Sequence, residues 1–319
     1  MAPMVIARWW YGPKTAGQLW EKDRSVGSFD STEIRYTVRG PADAPVVVLC
    51  AGFVCPDTYW KYLVPALESD HRVIVWNYRG IGVSGLPRPP GFHARDIAED
   101  ELSVENNARD LEAILDAESI DAAVLVGHSM GCQVVFEAYR RRPPRYRGLV
   151  ALAGPYRTPL RTFYGTDASA RIAPLTLPFV HLLPRVTLVG WRLAFDSPLA
   201  YPVGKHVLRA IGPTVKEEDM KGYFEHLSTL DPLIVGKMVR GMHSHDASDV
   251  LPTIRVPVLI VHGTRDPFTP IAVAVDMERA IPEATLVKIE GGSHTLPIEY
   301  PAEVAGEVRT FLKGLPATL

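Results

Sequence analysis

Residues 124–132 read Val-Leu-Val-Gly-His-Ser-Met-Gly-Cys, an apolar run that ends in Gly127-x-Ser129-x-Gly131 and passes into a helical pattern. A strand that turns at once into a helix forces its corner residue into a strained backbone and leaves that side chain clear of the sheet. Small residues two before and two after the corner are required because strand and helix nearly touch there. A serine at the corner has an exposed hydroxyl, and the peptide N–H of the next residue points at whatever that hydroxyl attacks. Both flanks agree with this reading. Asp121 to Gly127 is short and apolar, as a buried parallel strand must be. Val135, Phe136 and Tyr139 recur at helical spacing until Pro143-Pro144 ends the pattern.

Outward from this corner, strand and helix signals alternate from about residue 26. Thr32 to Arg39 alternates in type like a half-exposed strand and ends at Gly40-Pro41, whereas Val46 to Cys50 is uninterrupted and reads as a central strand. Asp57 can cap a helix through Tyr59, Trp60, Leu63 and Leu67. Arg72 to Trp76 is the next strand, and a helix runs through Leu102, Ala108, Leu111, Ile114 and Leu115 after a loop rich in Gly and Pro at 79–91. Gly148 to Ala153, Val256 to His262 and Ala284 to Ile289 supply further strands, and 301–313 a last helix. Strands separated by helices imply parallel pairing with helices on both faces, so the fold class is α/β with a mostly parallel, doubly wound sheet.

Between Ala153 and Val256 the rhythm breaks, and prolines recur at 155, 159, 174, 178, 184, 198, 202 and 213. This is too long for a structureless loop. It reads as a mainly helical cap, residues 155–250, inserted into a core of residues 1–154 and 251–319. Such an insertion would lie over the carboxyl edge of the sheet, where open α/β sheets bind ligands.

Composition bounds the partners. The chain has 319 residues, 47% hydrophobic and 22% charged, with a formal net charge of −2. That balance argues against nucleic acid as a partner, since such binders carry a basic stripe. Cys50, Cys55 and Cys132 form no even framework and read as reduced thiols of a cytoplasmic protein, although Cys50 and Cys55 are close enough in sequence to bridge. No charged-then-apolar leader opens the chain, so no secretory signal is expected. Met4 to Tyr11 is apolar but too short to span a bilayer; it would pack on the body or rest at a membrane surface.

A serine hydroxyl needs a base, and the base needs an orienting partner. His294 follows the strand Ala284 to Ile289 on a Gly-rich turn, at the same sheet edge as Ser129. Asp266 lies one short loop beyond the strand ending at His262. The chain order Ser129, Asp266, His294 is one of the known triad orders. Taken singly, Asp266 also suits a turn before Pro267 and His294 a loop. His128 should project away from Ser129 as a packing or supporting residue. His243, His245 and Asp246 read as a solvated loop rather than a metal site, and His262 as buried. The tetrahedral oxyanion needs two donors: the Met130 N–H, and from the loop after Val46 to Cys50 the Phe53 N–H, with Gly52 permitting the bend.

Gly127-His-Ser-Met-Gly131, Gly263-Thr-Arg-Asp266-Pro and Gly291-Gly-Ser-His294 resemble the α/β-hydrolase superfamily, over nearly the whole chain from about residue 30. Asn77-Tyr-Arg-Gly-Ile-Gly-Val-Ser84 is similar to a D-x-R-G-x-G-x-S loop of many members, with Asn77 in place of Asp; Ala51-Gly52 stands where His-Gly is usual. Glu299-Tyr-Pro301 also looks like the family and reads as helix-start structure. The resemblance implies the α/β-hydrolase fold. A serine rather than an aspartate at the corner points away from haloalkane dehalogenases and epoxide hydrolases. The activity it implies is ester hydrolysis through an acyl-enzyme, with no metal or organic cofactor called for. C–C bond hydrolases and cofactor-free perhydrolases share the three groups and stay open, as does a ligand receptor or scaffold with a slow site. Ile172 to Leu183 and Val186 to Phe195 are very apolar. They point to a small-molecule ester with a hydrophobic acyl group, in a monoacylglycerol-lipase-like role. With Arg185 and Arg192 at their fringe they also suit transient contact with a membrane surface.

Overall fold

The computed structural model describes residues 16–87, 94–169, 171–172 and 182–316. Met4 to Tyr11 and most of the stretch Ile172 to Leu183 lie outside the described residues. Eight strands form one sheet: β1 (Arg24–Gly27), β2 (Glu33–Arg39), β3 (Val46–Cys50), β4 (Arg72–Trp76), β5 (Ala123–His128), β6 (Tyr146–Leu152), β7 (Val258–Gly263) and β8 (Ala284–Ile289). Their spatial order is β1-β2-β4-β3-β5-β6-β7-β8. β2 runs antiparallel to both β1 and β4, and every other pair is parallel.

The apolar runs become the central strands because both their faces are covered. β5 and β7 are buried along their whole length. The covering helices are α1 (Leu63–Leu67), α2 (Val104–Ala117), α3 (Met130–Arg141), α7 (Ile271–Ala280) and α8 (Pro301–Gly314). Ser103 caps α2 by accepting from the Asn106 N–H at 3.2 Å. Asp57 does not cap a helix. It lies inside a one-turn 3₁₀ segment, Asp57–Trp60, and its buried carboxylate instead accepts from Lys22 Nζ at 2.5 Å. The loop after β4 is held by Arg79, whose fully buried guanidinium grips Asp110 with two bonds of 2.8 and 2.6 Å.

Between β6 and β7 the chain makes an excursion containing α4 (Pro184–Phe195), α5 (Glu217–Thr229) and α6 (Pro232–Ser244). Its base is pinched by an antiparallel bridge between Arg157 and Asp246, and the Ala247 N–H donates to Tyr156 O at 2.9 Å. Met238 and Met242 of α6 are buried in the same apolar core as the sheet. His245 is not solvated as its polar neighbourhood suggests: it is fully buried, with Nε2 3.3 Å from the Glu137 carboxylate. All three cysteines are free thiols. Among the described residues, no helix is long and apolar enough to cross a membrane.

Candidate active site

Ser129 lies between β5 and α3 with φ 53° and ψ −124°, a backbone conformation that non-glycine residues rarely adopt. The glycines around it are steric necessities. A Cβ on Gly131 would lie 2.0 Å from Cys50 O, and one on Gly127 would lie 2.6 Å from the Gly131 carbonyl carbon. The strand, the corner and the helix can therefore meet only with hydrogen at both positions.

Three residues far apart in sequence converge at this edge. His294, in the turn beyond β8, places Nε2 2.9 Å from Ser129 Oγ and Nδ1 2.8 Å from Asp266 Oδ2. A carboxylate only accepts, so Nδ1 carries the proton and Nε2 is bare toward the hydroxyl. Asp266 is held by the loop after β7. Its Oδ1 accepts from the Phe268 and Thr269 N–H groups at 2.8 and 3.0 Å, and its Oδ2 also accepts from Thr269 Oγ1 at 2.7 Å. Burial by itself would raise its pKa. The imidazole of His294, the bond to it, His262 and the Thr269 N–H outweigh burial and hold the carboxyl below its usual range.

The turn bearing His294 is braced on both sides. Ser293 donates its N–H and its hydroxyl to Glu299 Oε2 at 2.8 and 2.6 Å, so Glu299 anchors this turn as well as starting a helix. Gly212, from the excursion, donates its N–H to Thr295 Oγ1 at 2.9 Å. His128, fully buried, donates Nε2–H to the carbonyl of His294 itself at 3.0 Å and stacks on Tyr59 with ring centroids 5.1 Å apart. Burial first, and then the neighbouring His294, push its pKa down to about 3, so it is a neutral support. Residue type marked His128 and Glu299 in the sequence. Which carbonyl or serine each would meet depended on contacts more than a hundred residues away for the first and on the turn's geometry for the second. His262 is buried as expected, donating to Thr269 O at 2.6 Å.

Met130 is the first residue of α3, where a peptide N–H has no acceptor within its helix. Phe53 lies in the loop after β3 and lines the same cavity as Ser129. That loop packs closely on the corner: a Cβ on Gly52 would come within 3.1 Å of Ser129 Cβ. Its turn closes with the Cys55 N–H on Gly52 O at 3.1 Å and holds Val54 at φ 49°, a strained position for a β-branched residue that nothing in the sequence announces.

Ser129 and His294 face a cavity of about 700 Å³. The loop after β7 supplies Phe268 to its wall, and the excursion supplies Leu160, Trp191, Phe195, Tyr223 and Leu227. Among the described residues that line it, none is Asp, Glu, Lys or Arg.

With fold and geometry in place, comparison with known proteins gives the class. Residues 47–307 match the alpha/beta hydrolase family, and the chain belongs to that family. Over 271 residues it is 29% identical to the polyketide synthase ThaQ of Burkholderia thailandensis, covering 84% of this chain but only 12% of that protein's length. It is 25% identical over 275 residues to RutD of Pseudomonas syringae pv. syringae, which carries the name of a carbamate hydrolase; the match covers 86% of this chain and 96% of RutD. Among solved structures it is similar to the esterase RhEst1 from Rhodococcus sp. ECU1013. The TM-score there is 0.68 with 22% identity, covering 93% of this chain and all of that one.

Proposed function

We propose that this protein is a serine hydrolase that cleaves neutral carboxylic esters with a hydrophobic acyl group, through an acyl-enzyme. The observation that carries the reading is the Ser129–His294–Asp266 relay opening directly into a cavity whose described lining has no Asp, Glu, Lys or Arg. Ser129 Oγ attacks the ester carbonyl while His294 Nε2 takes its proton, and Asp266 keeps the imidazole oriented and stabilises its charge. The Met130 and Phe53 N–H groups receive the oxyanion, each such donor being worth on the order of 3 kcal/mol. Collapse of this intermediate expels the alcohol, which takes the proton from His294. A water molecule activated by the same imidazole then releases the acid.

Residues 155–250 act in this reading as a cap on a core of 1–154 and 251–319. At roughly 30 Å³ per non-hydrogen atom, the volume of a water in the liquid, the cavity has room for about twenty such atoms. That is the size of a monoacylglycerol rather than of an acetate ester. The test is labelling with a fluorophosphonate followed by hydrolysis of p-nitrophenyl esters from short to long acyl chains, with an aryl carbamate and a diketone alongside. Rapid labelling lost in Ser129→Ala, and a rate that rises beyond butyryl, are expected. A folded protein that does not label, or one that prefers the acetyl ester, the carbamate or the diketone, would overturn the proposal.

A further inference from the structure

Fourteen large apolar side chains are exposed among the described residues, and eleven of them lie between Tyr164 and Leu208. On α4, Val186, Val189 and Leu193 form an exposed apolar stripe at helical spacing, and Leu182, just before the helix, is exposed as well. The opposite side of α4 is also apolar, since Trp191 and Phe195 pack inward against the core. A helix with apolar side chains on both sides has one face without a partner among the described residues. Leu182, Val186 and Leu193, with Leu199 and Val207 beyond the helix, are 65–75 % exposed. Leu193 and Leu199 also line the cavity that holds Ser129, so the cavity opens onto this apolar face.

Charge identifies the partner. Residues 157–210 contain seven Lys and Arg against two Asp and Glu, a net +5 within a chain of net −2, and Arg185 lies exposed beside Val186. Apolar side chains interleaved with cations match a surface of acyl chains beneath anionic headgroups. We propose that the exposed face of α4 and of the residues following it docks on an anionic phospholipid bilayer. On the ester-hydrolase reading above, substrate then passes from the bilayer into the cavity past Leu193 and Leu199.

The experiment is co-sedimentation of the full chain with vesicles of phosphatidylcholine alone or with phosphatidylglycerol, alongside hydrolysis of a soluble short-chain p-nitrophenyl ester. Wild type should partition onto the phosphatidylglycerol vesicles. The double variant Leu182→Ser with Val186→Ser, whose side chains do not line the cavity, should bind at least tenfold less while its soluble-ester rate stays within twofold. Arg185→Glu should lose about twenty-five-fold on anionic vesicles, since it removes a cation and adds an anion and each unit charge near such a surface is worth roughly fivefold, and little on neutral ones. Wild type that stays in the supernatant, variants that bind as wild type does, or a homodimer dispersed by the serine substitutions with no vesicle binding would each overturn the docking proposal. Soluble-ester hydrolysis is read separately. Hydrolysis without vesicle binding defeats docking alone, and binding without hydrolysis leaves docking in place while defeating the ester reading.

Discussion

Replacing His128 with phenylalanine should make the protein less stable at neutral pH and more stable in mild acid. Phenylalanine keeps a ring against Tyr59 but cannot donate to the carbonyl of His294, which the wild-type imidazole reaches at 3.0 Å. Leaving that buried acceptor unpaired costs about 1–2 kcal/mol. Acid acts in the opposite direction. The folded-state pKa of His128 is pushed down from 6.5 to about 3. Above pH 6.5 the residue is neutral in both states and has no pH-dependent effect. As pH falls below 6.5 the unfolded chain binds a proton that the folded chain refuses, so wild type loses about 1.4 kcal/mol per pH unit until pH approaches 3. The loss at pH 5.4 is about 1.5 kcal/mol, equal to the cost of the missing hydrogen bond. The two stability curves should therefore cross between about pH 5 and 6. Equilibrium urea unfolding of both proteins from pH 7.5 to 4.5 measures this, because the other histidines are common to both and the difference curve reports residue 128 together with its coupling to His294. Parallel curves would mean that His128 binds its proton equally in folded and unfolded chains, and would refute the burial argument.

Three further outcomes are set by distances in the site. Asp266→Asn can still accept the Phe268 and Thr269 N–H groups, but it presents an amide N–H to His294 and imposes the wrong tautomer. Ester hydrolysis should fall by about 10⁴ with the fold intact by circular dichroism, and a loss under tenfold would contradict the assigned geometry. Glu299→Ala leaves the Ser293 N–H without its acceptor and its hydroxyl with Thr295 alone, and should cost about 1–3 kcal/mol in urea unfolding, with at least a tenfold fall in kcat. Glu299→Gln should restore both, because its amide oxygen can take the two bonds now made to Oε2. Gly131→Ala forces a Cβ to 2.0 Å from Cys50 O and should destabilise by more than about 3 kcal/mol, measured by thermal unfolding.

The strands legible in the sequence are those whose burial leaves no choice of residue type. Val46 to Cys50, Arg72 to Trp76 and Ala123 to His128 are apolar because both faces are covered. β1 gives no such signal because Arg24–Gly27 is an exposed edge strand of four residues with no pattern to show. α7 is hidden because Ile271 to Val275 alternates Ile-Ala-Val-Ala-Val, which suits strand and helix equally. Asp57 misleads for a different reason. An acid before an apolar run suggests a cap, but Lys22, 35 residues earlier, is its partner, and no local pattern carries a contact of that range. His245 stands in the same relation to Glu137. The convergence of Ser129, Asp266 and His294 is legible because each follows a strand of a parallel sheet, and parallel strands deliver their carboxyl ends to one edge. The size of the cavity is not legible, since it depends on how far α4 and α5 stand from that edge.

Charge placement gives the proposed reaction a direction. Asp266, the one carboxylate in the relay, sits behind His294 with every bond accounted for by two N–H groups, a hydroxyl and the imidazole. It therefore adds no unpaired charge to the cavity, whose described lining is free of ionised side chains. A neutral ester enters such a space at no electrostatic cost. The negative charge first appears on the oxyanion, in a setting of low dielectric where two aligned peptide N–H groups count for more than they would in water. After deacylation the product acid ionises by passing its proton to His294 or to solvent, and since no Lys or Arg stands in the described lining to hold it, a carboxylate left behind once His294 is neutral again costs several kcal/mol. The same apolar lining that admits the ester thus rejects the ionised acid.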